Sequence, residues 1–418
     1  MNKYSLSALA AAGLLAGGLA TSANAADLGG NCCADLEERI AELEATTARK
    51  GNRKVSLTVS GWVGQQVMFW DDGFESNTYV GDLGATLGSN VKFTGQATIV
   101  PGWTAGYVLH IEFINNDSLL LTQDYQQPGG WSRTIPLQSY WFIKSDHWGK
   151  LSVGRQSQAS DNTAILVDGS GSLVPANWVA FDVNSFFIRE STTGLPIRTW
   201  GSIGGCTGGG AWGDCNGLTQ NVVRYDTPTF AGFSASASWG EDDMWDVALR
   251  YAGEHHGFKV AVAAAYNEIT GGGFPNTIAG GFDAPETQYF QIGAYLQHVA
   301  TGLFIYGAYG DNELDDALTG DNFEAEQWYV KAGVRGKWNH LGATVLYGEY
   351  SNIDESTNVG FSSDFDLWGL GIVQEIDAAA MSLWISYRHL SYDDNVLGAL
   401  GTSAEDFDYV KAGALINF

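Results

Sequence analysis

The feature that most constrains this chain is a period-two alternation of apolar and polar residues that repeats along most of its length. Between residues 55 and 70 the odd positions are mostly apolar, whereas several even positions carry Ser, Thr or Gln. Alternation with this period gives a β-strand one apolar and one polar face. Many segments span about ten residues, which exceeds the average soluble strand and suits a tilted strand that crosses a bilayer.

Sixteen alternating segments follow one another along the chain. They cover residues 55–70, 88–99, 103–114, 137–146, 149–157, 221–228, 232–240, 244–253, 258–270, 286–300, 302–311, 326–338, 342–352, 363–377, 380–393 and 405–418. Short turns such as 101–102 alternate with longer polar connections such as 115–136, 271–285 and 312–325. Bacterial outer-membrane barrels have an even strand number and this alternation of turns and loops. The pattern predicts an all-β membrane protein, a sixteen-stranded antiparallel transmembrane β-barrel over residues 55–418.

Composition excludes several functions. The chain has 47 acidic and 21 basic residues in 418, a formal charge of −26. A nucleic-acid partner is excluded, because phosphate binding requires clustered Lys and Arg. Of seven His residues only His110 points to the predicted lumen, beside Glu112, and no zinc spacing or phosphate-binding glycine motif occurs. We therefore predict no enzyme, no cofactor and no metal site.

The first 54 residues differ from the rest of the chain. Residues 1–25 combine Lys3, an apolar run and Ala23-Asn24-Ala25, which predicts a signal peptide cleaved before Ala26. Within the following segment, 26–54, residues 34–50 show a two-heptad coiled-coil pattern and predict a short periplasmic helix. This helix either packs on its own domain or bundles with symmetry copies, and its basic end is a candidate contact for peptidoglycan or anionic lipid. The pair Cys32-Cys33 forms interchain disulfides or stays unpaired.

One connection is far longer than the others. About 60 residues between the fifth and sixth segments, 158–220, lack sustained alternation, and loops of this length are usually functional or disordered. The connection supplies four candidate acidic residues, Asp161, Asp168, Asp182 and Glu190. Cys206 and Cys215 have a spacing that a disulfide can close in an exported protein, with metal binding as the weaker alternative.

Parity assigns charged residues to the barrel wall. If the apolar face meets lipid, the lumen receives seven basic residues: Lys92, Arg224, Arg250, Lys331, Arg335, Arg388 and Lys411. Basic groups on the wall opposite acidic groups on the long connection would create a transverse field that selects ions. The alternative is that each residue only solvates a wide polar lumen.

Specific stretches resemble a known family. Asp35 to Val63 and Met68 to Gly73 resemble the opening of the alphaproteobacterial porin family, and Gly149 to Ser157 and Asn221 to Asp242 resemble motifs of general bacterial porins. The resemblance implies a homotrimer in the outer membrane, through which small hydrophilic solutes and ions diffuse passively, with the third external loop folded inward as a constriction. A substrate-specific channel, or a structural tether or receptor linking the membrane to the cell wall, remains an alternative.

Two further residues gain roles from this context. Arg155 has the outward parity of Leu151 and Val153, and a charge facing lipid costs about 2–4 kcal/mol. Since early strands lie at the trimer interface in the family, we predict an acidic partner for Arg155 there; a local bulge is the rival explanation. The last strand ends on Phe418 and resembles the C-terminal signature that the barrel assembly machinery recognises. External carboxylates are candidates for cation-mediated contact with lipopolysaccharide.

Overall fold

The computed structural model describes residues 54–418 except 85, 125–131, 180–181, 207–214, 216, 218, 241–242, 271–285 and 317–320. The predicted signal peptide 1–25, the helix 34–50 and the Cys32-Cys33 pair lie outside the described residues. Among the helices that are described, none is long and apolar enough to cross a membrane.

Strands dominate the described residues. They are β1 (Thr58–Asp71), β2 (Ser76–Gly81), β3 (Ser89–Val100), β4 (Trp103–Ile114), β5 (Arg133–Ser145), β6 (Gly149–Gln156), β7 (Phe187–Arg189), β8 (Pro196–Thr199), β9 (Gln220–Asp226), β10 (Phe233–Gly240), β11 (Trp245–His255), β12 (Phe258–Ile269), β13 (Glu286–His298), β14 (Leu303–Asp316), β15 (Asp321–Gly336), β16 (Thr344–Thr357), β17 (Ser362–Ile376), β18 (Met381–Asp394) and β19 (Phe407–Asn417). One α-helix, α1 (Asn395–Leu400), and three 3₁₀ turns (Ile165–Val167, Trp200–Gly205 and Asp377–Ala379) complete the elements.

The sheet closes into a barrel because the first strand pairs on both sides. β1 is antiparallel to β19, in register from Trp62 opposite Asn417 to Asp71 opposite Asp408. Its other edge pairs with β3 near its start and with β2 near its end, so β2 and β3 share one position in the wall. The remaining wall strands pair with their neighbours, and β7 and β8 form a separate hairpin. The predicted sixteen-stranded antiparallel barrel is confirmed, and each predicted segment overlaps one wall strand.

The two faces of the wall differ as the alternation predicts. In β13 the burial alternates residue by residue, with Phe290, Ile292 and Leu296 exposed outside, and Gln291 and Tyr295 buried inside. The apolar side chains of the outer face suit contact with lipid. The backbone N–H and C=O groups are paired within the sheet, so they need no water there.

Three connections differ from the sequence prediction. The predicted loop 312–325 is largely an extension of β14 and β15, with Asn312 opposite Ala325 and Glu313 opposite Glu324. The sequence predicts a loop here because the segment is rich in acidic residues. In the structure several of those residues lie in paired strands of a hairpin. Connection 394–404 contains α1, whose N-terminus is capped by the Asp394 side chain accepting from the Leu397 N–H. The connection between the first two predicted segments contains β2, whose six residues are too few to show sustained alternation.

The connection 158–220 passes close to the inside of β13. A Cβ added to Gly293 would lie 2.3 Å from the carbonyl oxygen of Ala164, whereas a Cβ at Gly307 on the paired strand would meet its nearest atom at 3.7 Å.

We expect Gly293→Val to displace the connection locally and to lower the free energy of unfolding by about 1–3 kcal/mol, the usual cost of overpacking. Urea titration of the folded barrel measures the change, and Gly307→Val is the matched control. Equal stability of the two variants would show that the connection does not rest on β13.

Candidate functional site: the 158–220 connection and the inner wall

The connection 158–220 contacts the inward-facing side chains of strands far apart in the wall. At its start, the Ser160 amide and hydroxyl both donate to Asp246 of β11, at 2.7 and 2.6 Å. Further along, the Ala164 amide donates to Gln291 of β13 at 2.8 Å. These are polar contacts to backbone as well as side chains, so they fix the path of the main chain.

Two of the predicted acidic residues form buried ion pairs with two of the predicted basic residues. Asp168 Oδ2 lies 2.6 Å from Lys331 Nζ, with both side chains 0% exposed. Asp182 Oδ2 lies 2.5 Å from Lys411 Nζ. Burial alone would raise the pKa of Asp182, but the Lys411 ammonium holds that pKa below its usual range. Each pair joins the connection to the wall at a point where water is excluded.

Arg388 adds a third attachment near these pairs. Its guanidinium contacts Glu349 of β16, across the intervening strand β17, at 2.8 Å and donates to the carbonyl oxygen of Asn177 at 2.7 Å. Lys331 also donates to the Ala176 carbonyl oxygen at 2.6 Å. Charged donors thus supply hydrogen bonds to backbone carbonyl oxygens in a buried segment, where such groups need a partner within the protein.

Aromatic packing holds the part of the connection between residues 178 and 200. Trp178, Phe186 and Trp200 of the connection are buried in one cluster with wall residues such as Trp70 and Phe407. The ring centroids of Phe186 and Phe407 lie 5.2 Å apart in an edge-to-face arrangement. The inner wall on this side is therefore covered by packed side chains.

The connection also faces the wall across a small cavity of about 40 Å³. Leu87, Leu137 and Gln138 line it from the wall side, and Asp161 and Ile165 line it from the connection. We call this cavity the Asp161 cavity. Burial raises the pKa of the Asp161 carboxyl to about 7, against the lowering effect of a hydrogen bond from Ser157 and the nearby Arg224.

Two other predicted basic residues lie near Asp161. Arg224 donates to the carbonyl oxygens of Ser157 and Gln158 at 2.9 and 3.0 Å and to Asp226 at 2.7 Å. Arg250 donates to the Ala159 carbonyl oxygen at 2.5 Å. These two guanidiniums therefore hold the start of the connection.

The remaining predicted residues are placed apart from this group. Arg335 contacts Glu375 at 2.7 Å, and Lys92 is buried on the inner face of β3. Glu190 accepts hydrogen bonds from Thr193, Thr402 and the Thr192 amide, and those bonds lower its pKa to about 2. It joins the connection to residues before β19 and is not brought together with the other three acidic residues.

The connection is closed at its end by the predicted disulfide. Cys206 and Cys215 are bonded, with an S–S distance of 2.04 Å. Just before it, the Gly204 amide donates to Glu355 at 2.6 Å, and Glu355 also pairs with Arg198 at 2.6 Å. Glu355, like Asp246 and Glu349, is a buried carboxylate that the sequence analysis missed. Inward parity is the signal that could have found them.

Arg155 lies on the fifth wall position. Its Nε donates to the Thr219 hydroxyl at 3.2 Å, and β6 pairs with β5 and β9 in regular register through this residue. The rival explanation of a bulge at Arg155 is therefore excluded.

A closed sixteen-stranded barrel with an apolar belt and a polar interior defines a transmembrane channel of the outer-membrane type. The chain belongs to the Gram-negative porin family, whose model matches residues 6–415. It is an outer-membrane protein that forms a channel for passive diffusion. No curated protein sequence matches the chain significantly.

Solved structures share the fold at low sequence identity. An anion-selective porin from Comamonas acidovorans is 18% identical, with a TM-score of 0.56 over 87% of this chain and 100% of that one. A loop L8 deletion mutant of OmpT, an outer membrane protein of Vibrio cholerae, is 14% identical with a TM-score of 0.55, over 87% and 100%. OmpF of Salmonella typhi, in complex with daunomycin, is 14% identical with a TM-score of 0.53, over 87% and 98%.

The Lys331–Asp168 pair should be energetically important because neither charge reaches water. We expect Lys331→Met to lower the free energy of unfolding by about 3–5 kcal/mol, since it leaves Asp168 buried without its counter-ion. The double variant with Asp168→Leu should recover most of the loss. Urea titrations give all three values.

The control is Lys337→Met, which breaks a pair with Asp377 whose side chains are 70% and 54% exposed. Its cost should be about 0–1 kcal/mol. A loss of that small size in Lys331→Met would contradict a structural role for the buried pair.

Proposed function

We propose that this porin works as a homotrimer in which the 158–220 connection folds inward and acts as the size and charge filter for small hydrophilic solutes and ions. The observation that carries the proposal is the pair of buried ion bridges, Lys331–Asp168 and Lys411–Asp182. A filter must keep its shape while solutes collide with it, and buried charge pairs with defined geometry resist displacement.

In this proposal the predicted basic residues divide into two groups. Lys331, Arg388 and Lys411 are buried where they hold the connection to the wall. Each already has a close acidic partner. Arg224 and Arg250 lie on the wall nearer Asp161, and we assign ion preference to these two residues and Asp161. A charge acts on passing ions most strongly where the passage is narrow and water is scarce.

Single-channel recording in a planar bilayer tests the proposal. Large steady steps that close in thirds are expected for three parallel filters. A folded protein that gives no conductance would overturn the pore and leave the tethering alternative, which depends on residues 34–50. Deleting those residues should then change envelope attachment.

The trimer has indirect support. One structure of similar fold, at 14% identity and a TM-score of 0.53, is described as the trimer form of Vibrio cholerae OmpT. We assign Arg155 to the interface because its guanidinium has the outward parity and a charge facing lipid is costly.

Two other partners remain part of the proposal. Asp311, Glu313 and Glu324 offer carboxylate oxygens within 4.8 Å of one another, as expected of a lipopolysaccharide contact bridged by divalent cations. Phe418 exchanges backbone hydrogen bonds with Gly61 and so completes the β1–β19 seam. The backbone of a strand signal read by the barrel assembly machinery would become paired in this way after folding.

Ion preference should depend on pH through Asp161. Its carboxyl has a raised pKa of about 7, so it gains a proton and loses its negative charge as the pH falls from 8.5 to 5.5. We expect cation preference to fall over this range, measured as the reversal potential in a KCl gradient.

Asp161→Asn should show the low-pH reversal potential throughout. The exposed Asp377→Asn serves as the control and should keep the wild-type titration. A titration unchanged in Asp161→Asn would remove Asp161 from the filter.

Trimer assembly provides a separate prediction. Arg155→Ala should lose trimers on native gels while monomers keep their unit conductance, because the proposed acidic partner on the next subunit then has no positive charge opposite it. Arg155→Lys keeps the positive charge and should retain trimers. Unchanged trimers with altered conductance in Arg155→Ala would instead place this residue in the conduction path.

A further inference from the structure

Two neighbouring wall residues hold the part of the connection that precedes Asp161. Ser238 of β10 and Asp246 of β11 lie directly opposite each other in register, and both are buried. The Asp246 carboxylate accepts hydrogen bonds from the Ser238 amide, at 3.0 Å, and from the Ser238 hydroxyl. We call these two residues the Ser238–Asp246 pair.

The pair binds two consecutive residues of the connection. Ser238 Oγ accepts from the Ala159 amide at 2.9 Å, and Asp246 accepts from both the amide and the hydroxyl of Ser160. Hydrogen bonds to a charged acceptor are short and strong, so a carboxylate with these donors holds them in defined positions. Asp161 is the next residue along the chain, and its backbone position depends on this contact.

The backbone that follows Asp161 is also fixed to the wall. Gln291 of β13 donates from Nε2 to the Ser160 carbonyl oxygen at 3.0 Å and accepts at Oε1 from the Ala164 amide at 2.8 Å. The Tyr306 hydroxyl donates to the Ala164 carbonyl oxygen at 2.8 Å. The Asp161 side chain therefore projects from a short segment whose two ends are both bound to the wall.

The surroundings of the Asp161 carboxyl depend on the position of this segment. Burial raises its pKa most, the nearby Asp246 raises it further, and Arg224 and Arg250 lower it. The other residues that line the Asp161 cavity are uncharged. Since the burial comes from packing between the connection and the wall, it is lost if residues 159 and 160 move away from the wall.

We propose that the Ser238–Asp246 pair is the positioning device for Asp161, which holds residues 159 and 160 so that the Asp161 carboxyl stays buried beside the wall. The exposed fractions of Ser238 and Asp246 are only 5% and 1%, so they act on the channel through Asp161. The effect on the Asp161 carboxyl is independent of conduction. Its consequence for ion preference rests on the proposed filter.

Two titrations of the purified full-length protein, from pH 8.5 to about 4, test the proposal. Infrared difference spectroscopy follows the protonated carboxyl band that Asp161→Asn removes, and it needs no conduction. The reversal potential in a KCl gradient follows the effect of the same proton on passing ions. Both titrations give a midpoint for Asp161.

The first variant, Ser238→Ala, changes no charge. It removes the acceptor of the Ala159 amide and the hydroxyl that donates to Asp246, so water should reach the Asp161 carboxyl. Its midpoint should then fall by at least about one pH unit toward the ordinary carboxyl range. Ser238→Thr keeps the hydroxyl and should keep the wild-type midpoint.

The second variant, Asp246→Asn, should lower the midpoint further. It removes a negative charge near Asp161, and its side-chain NH₂ replaces an acceptor with a donor opposite the N–H and O–H donors of Ser160 and Ser238. In both variants cation preference should persist to lower pH than in the wild type, because Asp161 keeps its negative charge there.

Two buried residues elsewhere on the wall provide matched controls. Ser351 is 0% exposed, and its hydroxyl donates to the Trp328 carbonyl oxygen at 3.1 Å. Glu355 accepts from the amide of Gly204, near the other end of the connection, at 2.6 Å. Ser351→Ala and Glu355→Gln should lower the stability to urea and leave the Asp161 midpoint unchanged.

An unchanged infrared midpoint in Ser238→Ala would overturn the positioning role, even if that variant is less stable. A midpoint that moves only in Asp246→Asn has the same meaning, since the loss of a nearby charge explains it. The inference also fails if the wild type shows no band that Asp161→Asn removes. An infrared midpoint that falls while the reversal potential does not follow would leave the positioning role intact and refute the filter.

Discussion

Closure of the sheet between β1 and β19 is the constraint on which the rest of this structure depends. In a bilayer every backbone N–H and C=O must find a partner within the protein, and a barrel without edges satisfies all of them. Ten residue pairs join β1 to β19, from Trp62 and Asn417 to Asp71 and Asp408. Once the sheet is closed, each residue has one of two environments, lipid or interior.

The interior of this barrel is more occupied than a polar lining alone implies. The 158–220 connection carries Trp178, Phe186 and Trp200 into a cluster with wall aromatics, and buried ion pairs secure the same segment. Charges buried in pairs add little net stability but penalise any arrangement that separates them. The connection is thereby held in one path along the inner wall.

This arrangement bears on selectivity. A wall arginine or lysine contributes to the field in a pore only where its charge is not already cancelled by a close partner. The charges of Lys331 and Lys411 are cancelled by Asp168 and Asp182, whereas Asp161 lines the Asp161 cavity between the connection and the wall. In the proposed filter, ion preference therefore depends on fewer residues than the total charge of the lumen suggests.

The sequence by itself determined the strands, their number and the two faces of the wall, because a period of two is imposed locally by the backbone and lipid rewards it on every strand. It also located the long connection and its disulfide. It missed the hairpin extension at 312–325, where acidic residues in a paired strand have loop-like composition. Only the tertiary structure decided which charges meet. Asp168 with Lys331 and Asp182 with Lys411 are contacts between residues more than 150 positions apart, and they depend on the three-dimensional path of an irregular segment. No local period encodes that path.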